Sequence, residues 1–244
     1  MAKELVSRSA LSPAASDLLQ ENYAAFLLGN TAPDVQTISG QARSTTHFFD
    51  FPIHHSHPAP WLVLFEQNDY LVAVHRLLPA QVAFLSGYLC HLLADWMWIR
   101  QIFLPVFGKK SEWSTFTKRL YLHNVLRSYQ EAEILPSLSN GISVNLQQAE
   151  PSGWLPFVSD SYLYTWRDFL TSQLQPGAAI KTIEVFATRQ GIPPETYYQL
   201  LRSEERMERE VFAHLSRQTL TDYRQQIIAE SLTLTQDYLA GRLI

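Results

Sequence analysis

Apolar positions along this chain recur mostly three and four residues apart, the spacing of helices with one buried face. The first such run covers residues 12–28, with Leu18, Leu19, Tyr23, Phe26 and Leu27 on one side. Ser12 suits its N-cap and Pro13 its first helical position. Gly29 ends it, and Asn30-Thr31-Ala32-Pro33-Asp34 reads as a turn. A short helix is expected at 59–70. The longest apolar run, from Val82 to about Phe107, predicts a buried helix opened by Pro79. Another is expected from a Ser111 cap through Trp113, Phe116, Leu120, Val125 and Tyr129 to Ile134, closed by Pro136. Helices resume at about 160–174, 180–190 and 220–239. Pro193 starts one more, whose mixed charges, from Glu204 to Glu210, suit a solvated face.

Two stretches break this rhythm. Residues 137–157, with Asn140-Gly141 and Pro151-Ser152-Gly153, read as loop. Residues 35–60 are poor in helix signals, yet hold four of the eight histidines: His47, His54, His55 and His57. A loop this long is usually functional or disordered, and Phe48, Phe49 and Phe51 argue that it packs, which favours function. No alternating strand pattern, repeat or low-complexity segment interrupts the helices. The expected fold is all-α, a multi-helix bundle in a single domain spanning 1–244.

Composition changes this picture little. A net charge of −4 implies no broad basic surface and weighs against duplex nucleic acid as a partner. The lone Cys90 excludes an internal disulfide and fits a reducing compartment. No apolar core of signal-peptide length precedes Pro13, so a cytoplasmic location is expected. Residues 82–107 are long enough to cross a membrane, but His91, Asp95 and Arg100 interrupt them. A core helix, and no transmembrane segment, is the expectation.

Within that helix, His91 and Asp95 are four residues apart and so share a face. Burying an imidazole and a carboxylate in an apolar segment is costly unless they share a ligand or satisfy each other. A bound cation is one solution and a His–Asp hydrogen bond the other. Asp34, just after the first helix, and His47, in the long loop, supply two more donors. Two imidazoles and two carboxylates suit Zn²⁺, with Fe²⁺ and Mn²⁺ as alternatives.

The segments Leu27-Leu28-Gly29-Asn30-Thr31-Ala32-Pro33-Asp34, Thr45-Thr46-His47-Phe48 and Gly87-Tyr88-Leu89-Cys90-His91-Leu92-Leu93-Ala94-Asp95 resemble the zinc-dependent phospholipase C and single-strand zinc nuclease family. The likeness is greatest to bacterial phospholipase C-like members without a secretion signal. It implies a helical fold, metal ligands at Asp34, His47, His91 and Asp95, and a metal-site half at about 12–136, followed by C-terminal helices at about 160–240. Fully active members assemble three zinc ions. The second site wants a His about ten residues after the helix His, then His-x-x-x-Glu. Here Gln101 stands at the first of these places, and His123 is followed at the fourth place by Arg127. The third site uses the amino group of a processed N-terminal Trp and a nearby His, whereas this chain begins with Met1 and has no His before His47. Sites two and three are therefore absent or rebuilt, the rebuild drawing on His123, Glu131 or Glu133.

The function these readings imply is metal-dependent hydrolysis of a small-molecule or lipid phosphoester, with Asp34 or Asp95 as the base and His123 as a further candidate. A non-catalytic bundle braced by one ion and a metal-free interaction module are the alternatives. Of the remaining candidates, Asp50 lies three residues after His47 and could orient its ring. His54, His55 and His57 suit an exposed loop, His75 and His214 a surface, and Cys90 the core.

Overall fold

The computed structural model describes residues 11–51, 53, 56–138, 141–175 and 181–243, and among these every regular element is helical. The all-α expectation holds. The first helix is set as expected: Ser12 Oγ accepts from the Ala15 amide at 3.3 Å and Pro13 follows it. It does not run unbroken to Leu28, however. Asn22 divides it into α1 (Pro13–Glu21) and α2 (Tyr23–Gly29), because the Asn22 side-chain amide donates to the Leu18 carbonyl and competes with the helix ladder.

The region expected as a plain loop after Asp34 contains two single-turn helices, α3 (Gln36–Ser39) and α4 (Arg43–His47). They are too short to register as periodicity. Helix α5 (Pro60–Gln67) precedes α6 (Pro79–Trp98), which continues into a π-helical stretch, Ile99–Phe107, that accommodates Pro105. Helix α7 (Phe116–Ile134) starts later than expected. Thr115 caps it, while the Ser111 hydroxyl donates to the Pro105 carbonyl instead. The expected loop at 137–157 holds α8 (Gly141–Gln147), whose Leu146 is buried. Then follow α9 (Asp160–Gln173), α10 (Thr182–Gln190), α11 (Pro194–Leu201), α12 (Glu204–Met207) with a π turn at Glu208–Phe212, and α13 (Arg217–Leu239). Ser203 accepts from the Arg206 amide and separates α11 from α12, where one helix was expected.

These elements form two compact units, interleaved along the chain. Unit 1 takes the described residues of Met1–Trp96, Gly141–Gln175 and Gln226–Ile244; unit 2 takes those of Met97–Asn140 and Pro176–Gln225. The core of unit 2 gathers Phe107, Leu122, Val125, Tyr197, Leu200 and Val211. In unit 1, α2 and α6 cross at two glycines. A Cβ on Gly29 would lie 1.9 Å from the Phe84 carbonyl oxygen, and one on Gly87 would lie 2.3 Å from that of Phe26. Helix α8 covers α2 and α9, and the end of α13 closes the unit: the Tyr238 hydroxyl donates to the Leu71 carbonyl at 3.0 Å, and its ring stacks on Phe65. The helical run Pro79–Phe107 is long and apolar enough to cross a membrane, but 78% of its apolar window is buried in protein.

The glycine crossing gives a test with an unusual sign. A helix-interior Gly→Ala change normally adds about 1 kcal/mol of stability. Gly87→Ala is expected to lower it by about 1–3 kcal/mol, because the methyl group meets backbone and cannot be relieved by a rotamer change. Urea unfolding of the two proteins decides; equal or raised stability would contradict the packing described.

Candidate metal centre

The close crossing of α2 and α6 brings the turn after α2 against the polar face of α6. In that turn the 3₁₀ segment Ala32–Val35 carries Asp34. The turn is tied down at both ends. The Thr31 hydroxyl donates to the Leu28 carbonyl at 2.9 Å, and the Trp166 indole N–H donates to the Thr31 carbonyl at 2.9 Å. Helix α4 presents His47 from the other side. Its end is fixed by Phe48, whose φ of 59° is unusual for a bulky residue and is held by packing of the ring against Phe157. Tyr88, one helix turn below His91 on α6, donates its hydroxyl to the Thr46 carbonyl at 2.5 Å and pins α4 to α6.

Asp34, His47 and His91 each place a ligand atom within 4.8 Å of the others. His47 Nε2 lies 3.5 Å from Asp34 Oδ1, and His91 Nε2 lies 4.0 Å from Asp34 Oδ2. The fourth expected donor, Asp95, faces the same point: its Oδ2 is 3.6 Å from His47 Nε2 and 3.9 Å from His91 Nε2. That oxygen also accepts a hydrogen bond from Arg43 Nη2.

The hydrogen bonds decide the tautomers. His91 Nδ1 is 2.9 Å from the Asn30 carbonyl, which can only accept, so Nδ1 carries the proton and Nε2 presents a lone pair. The Thr46 hydroxyl donates to the Arg43 carbonyl and therefore accepts from His47 Nδ1 at 3.0 Å, which bares His47 Nε2 in the same way. Both Nε2 atoms are buried and have no hydrogen-bond partner. Each such orphan costs about 1–3 kcal/mol, a cost that a cation held between the imidazoles and the carboxylates would remove.

The electrostatics agree. Burial pushes the His47 pKa down, which keeps the ring neutral and able to ligate. Burial alone would raise Asp34, but the adjoining imidazoles of His47 and His91, and the charge of Arg43, outweigh it and hold the carboxyl below the usual carboxylate range. Two imidazoles and a carboxylate, from His47, His91 and Asp34, form a donor set that fits a divalent ion such as zinc.

Three contributors were not read from the sequence: the Asn30 carbonyl, the Thr46 hydroxyl and the Arg43 guanidinium. The last had a signal, since Arg43 precedes His47 by four residues and shares its helix face. Asp50, expected to orient His47, is exposed, and Thr46 takes that place. His57 is half-buried, while His54 and His55 lie outside the described residues. His75 is exposed, and His214 stacks on Trp113 at 3.7 Å.

His123 belongs to unit 2. Its Nε2 accepts from the Trp98 indole at 2.9 Å, and the rings of Trp98, Phe103 and Phe107 surround it. Burial, helped by the charge of Arg127, pushes its pKa down to about 3, so it is a neutral core residue at physiological pH. Glu131 accepts from the Thr182 hydroxyl at 3.1 Å, and Glu133 is exposed.

Comparison with known proteins bears on this same stretch. Residues 1–98 match the family model described as zinc dependent phospholipase C, and that match includes Asp34, His47, His91 and Asp95. No curated protein and no solved structure matches the chain.

Two predictions follow from these side chains. Thr46→Val keeps the shape but removes the acceptor that fixes His47, and zinc affinity measured by chelator competition is expected to fall about 10–100-fold. For His123, the folded pKa lies below the unfolded value, so its stabilising effect is complete above about pH 6.5 and declines as pH falls toward 3. Between pH 6.5 and 5 the wild type is expected to lose about 1 kcal/mol per pH unit more than His123→Phe, read from urea midpoints. Parallel pH profiles for the two proteins would contradict a neutral buried ring.

Proposed function

We propose that the chain is a cytoplasmic, metal-dependent phosphoester hydrolase resembling zinc-dependent phospholipase C, with fewer ions than the three-zinc enzymes. The observation that carries this reading is the pair of buried Nε2 lone pairs, on His47 and His91, directed at the carboxylates of Asp34 and Asp95 without a partner of their own. The family match over residues 1–98 supports it, since all four donors lie inside the matched region.

In this proposal Asp34, His47, His91 and Asp95 hold the ion. When bound, a divalent ion supplies Lewis acidity to a phosphoryl oxygen and acidifies a coordinated water. The chain's own residues do the rest. Asn30 and Thr46 keep the imidazole protons on Nδ1, away from the ion. The Asp34 and Asp95 side chains are 44% and 34% exposed, which leaves the centre open on the carboxylate side. Either carboxylate is within reach of solvent there and stands as the candidate base. That opening is what favours a reacting site over an enclosed structural ion, although four protein ligands alone would fill a tetrahedral shell. The substrate class is a small-molecule or lipid phosphoester.

Metal analysis of protein purified without a histidine tag is expected to find zinc, with Fe²⁺ or Mn²⁺ as substitutes, and His91→Ala is expected to lose it while remaining helical. Chelation is expected to lower the melting temperature of the wild type, since an ion that binds only the folded state stabilises it. Turnover of phosphomonoesters and phosphodiesters by the loaded protein completes the test. Unchanged metal content in folded His91→Ala would overturn the site; a bound ion with no turnover on any phosphoester would leave it a brace for the helices.

A further inference from the structure

Arg43 is the group that the metal reading leaves unexplained. It lies on α4 one turn before His47 and reaches the carboxylate oxygen of Asp95 that faces both imidazoles. The guanidinium is held in place by two contacts. Its Nη2 donates to Asp95 Oδ2, and its Cζ lies 4.8 Å above the Phe49 ring. Its Nη1 is buried and has no hydrogen-bond partner. The Arg43 side chain is nonetheless 34% exposed, so the guanidinium is not sealed against Asp95 and keeps donors beyond that one bond.

Formal charges show what this cation changes. Asp34 and Asp95 contribute −2, and a divalent ion on them with two neutral imidazoles brings the centre to zero. Arg43 makes the total +1. A neutral centre has little preference for an anion; one with a rigid guanidinium at its edge has both charge and directed donors for the oxygens of a phosphoryl group.

We propose that Arg43 is the second cation of the centre, a fixed guanidinium that shares Asp95 with the metal and binds a phosphoryl oxygen of the ligand. This rests on the metal reading above and deepens it. The ligand chemistry is a tetrahedral phosphoryl oxyanion, free or within an ester. Arg43 occupies the side of Asp95 that would otherwise need another positive charge, so one metal and one arginine divide the work of neutralising a phosphate.

The test compares wild type, R43Q and R43K. Each is loaded with zinc, its zinc affinity measured by chelator competition, and then titrated calorimetrically with inorganic phosphate and with dimethyl phosphate. Apo wild type is the baseline. R43Q is expected to keep zinc as tightly as wild type, or more tightly because Asp95 loses its competitor, and to bind the anions about tenfold or more weakly. R43K, which keeps the charge but not the fork, is expected to fall between them. Tighter binding of phosphate than of dimethyl phosphate would assign the site to free phosphate or monoesters, and the reverse to diesters. Should R43Q fail to fold, R43K against wild type carries the comparison. Loaded R43Q, or R43K in its place, binding both anions as wild type does would overturn the role of Arg43 while leaving the metal site intact. Loaded wild type that binds neither anion would do the same. A wild type that takes up no zinc overturns the metal reading first, and this proposal with it.

Discussion

Everything at the candidate centre depends on how closely two helices approach at Gly29 and Gly87. Side chains at these positions would meet backbone atoms within 1.9–2.3 Å, so the separation is set by the absence of a Cβ on either helix. That separation places the carbonyl of Asn30, the first residue after α2, on the ring of His91. A single backbone contact thus converts helix packing into a chemical state, the protonation of Nδ1 and the bareness of Nε2. The turn that follows then delivers Asp34 to the same point. The opposite wall is built differently, from a single-turn helix that could not persist alone. Helix α4 is kept by Tyr88 at its last turn and by Phe48 beyond it, where a left-handed residue is stabilised by the burial of its own ring.

Much of this could be read from residue order alone, and the exceptions share a cause. Long periodic runs such as 79–98 and 160–173 were visible because many residues repeat one pattern. The four donors were visible as unusual polar residues at fixed spacings. Helices α3 and α4 were not, since four or five residues contain less than one full repeat of the pattern. Helix α8 was hidden by turn-forming neighbours, Asn140-Gly141 before it and Pro151-Ser152-Gly153 after it. The unbroken first helix failed at Asn22, whose side chain has a local alternative that no apolar pattern reports. The partners of the imidazoles were hardest to see. One is a main-chain carbonyl, which every residue possesses, and its role comes only from the fold.

The two histidine environments show how similar residues acquire separate roles. His47 is buried but meets two carboxylates, so the cost of its enclosure can be offset by a cation placed among them. His123 is buried among rings with an indole donor on one nitrogen, and nothing near it bears negative charge enough to keep it protonated. Its environment favours one uncharged form and no ligand. Spacing put both on the list of candidates; their surroundings separate them.

The interleaving of the units has a consequence for how the protein is made. Unit 1 needs the segment Gly141–Gln175 against α2 and needs Tyr238, near the end of the chain, against Leu71 and Phe65. A ribosome releases these pieces long after Asp34, His47, His91 and Asp95 have emerged. The four candidate donors are therefore made well before the scaffold that positions them is finished. The unit that carries the centre is complete only once helix α13 has been made, so its packing trails the synthesis of the residues it positions.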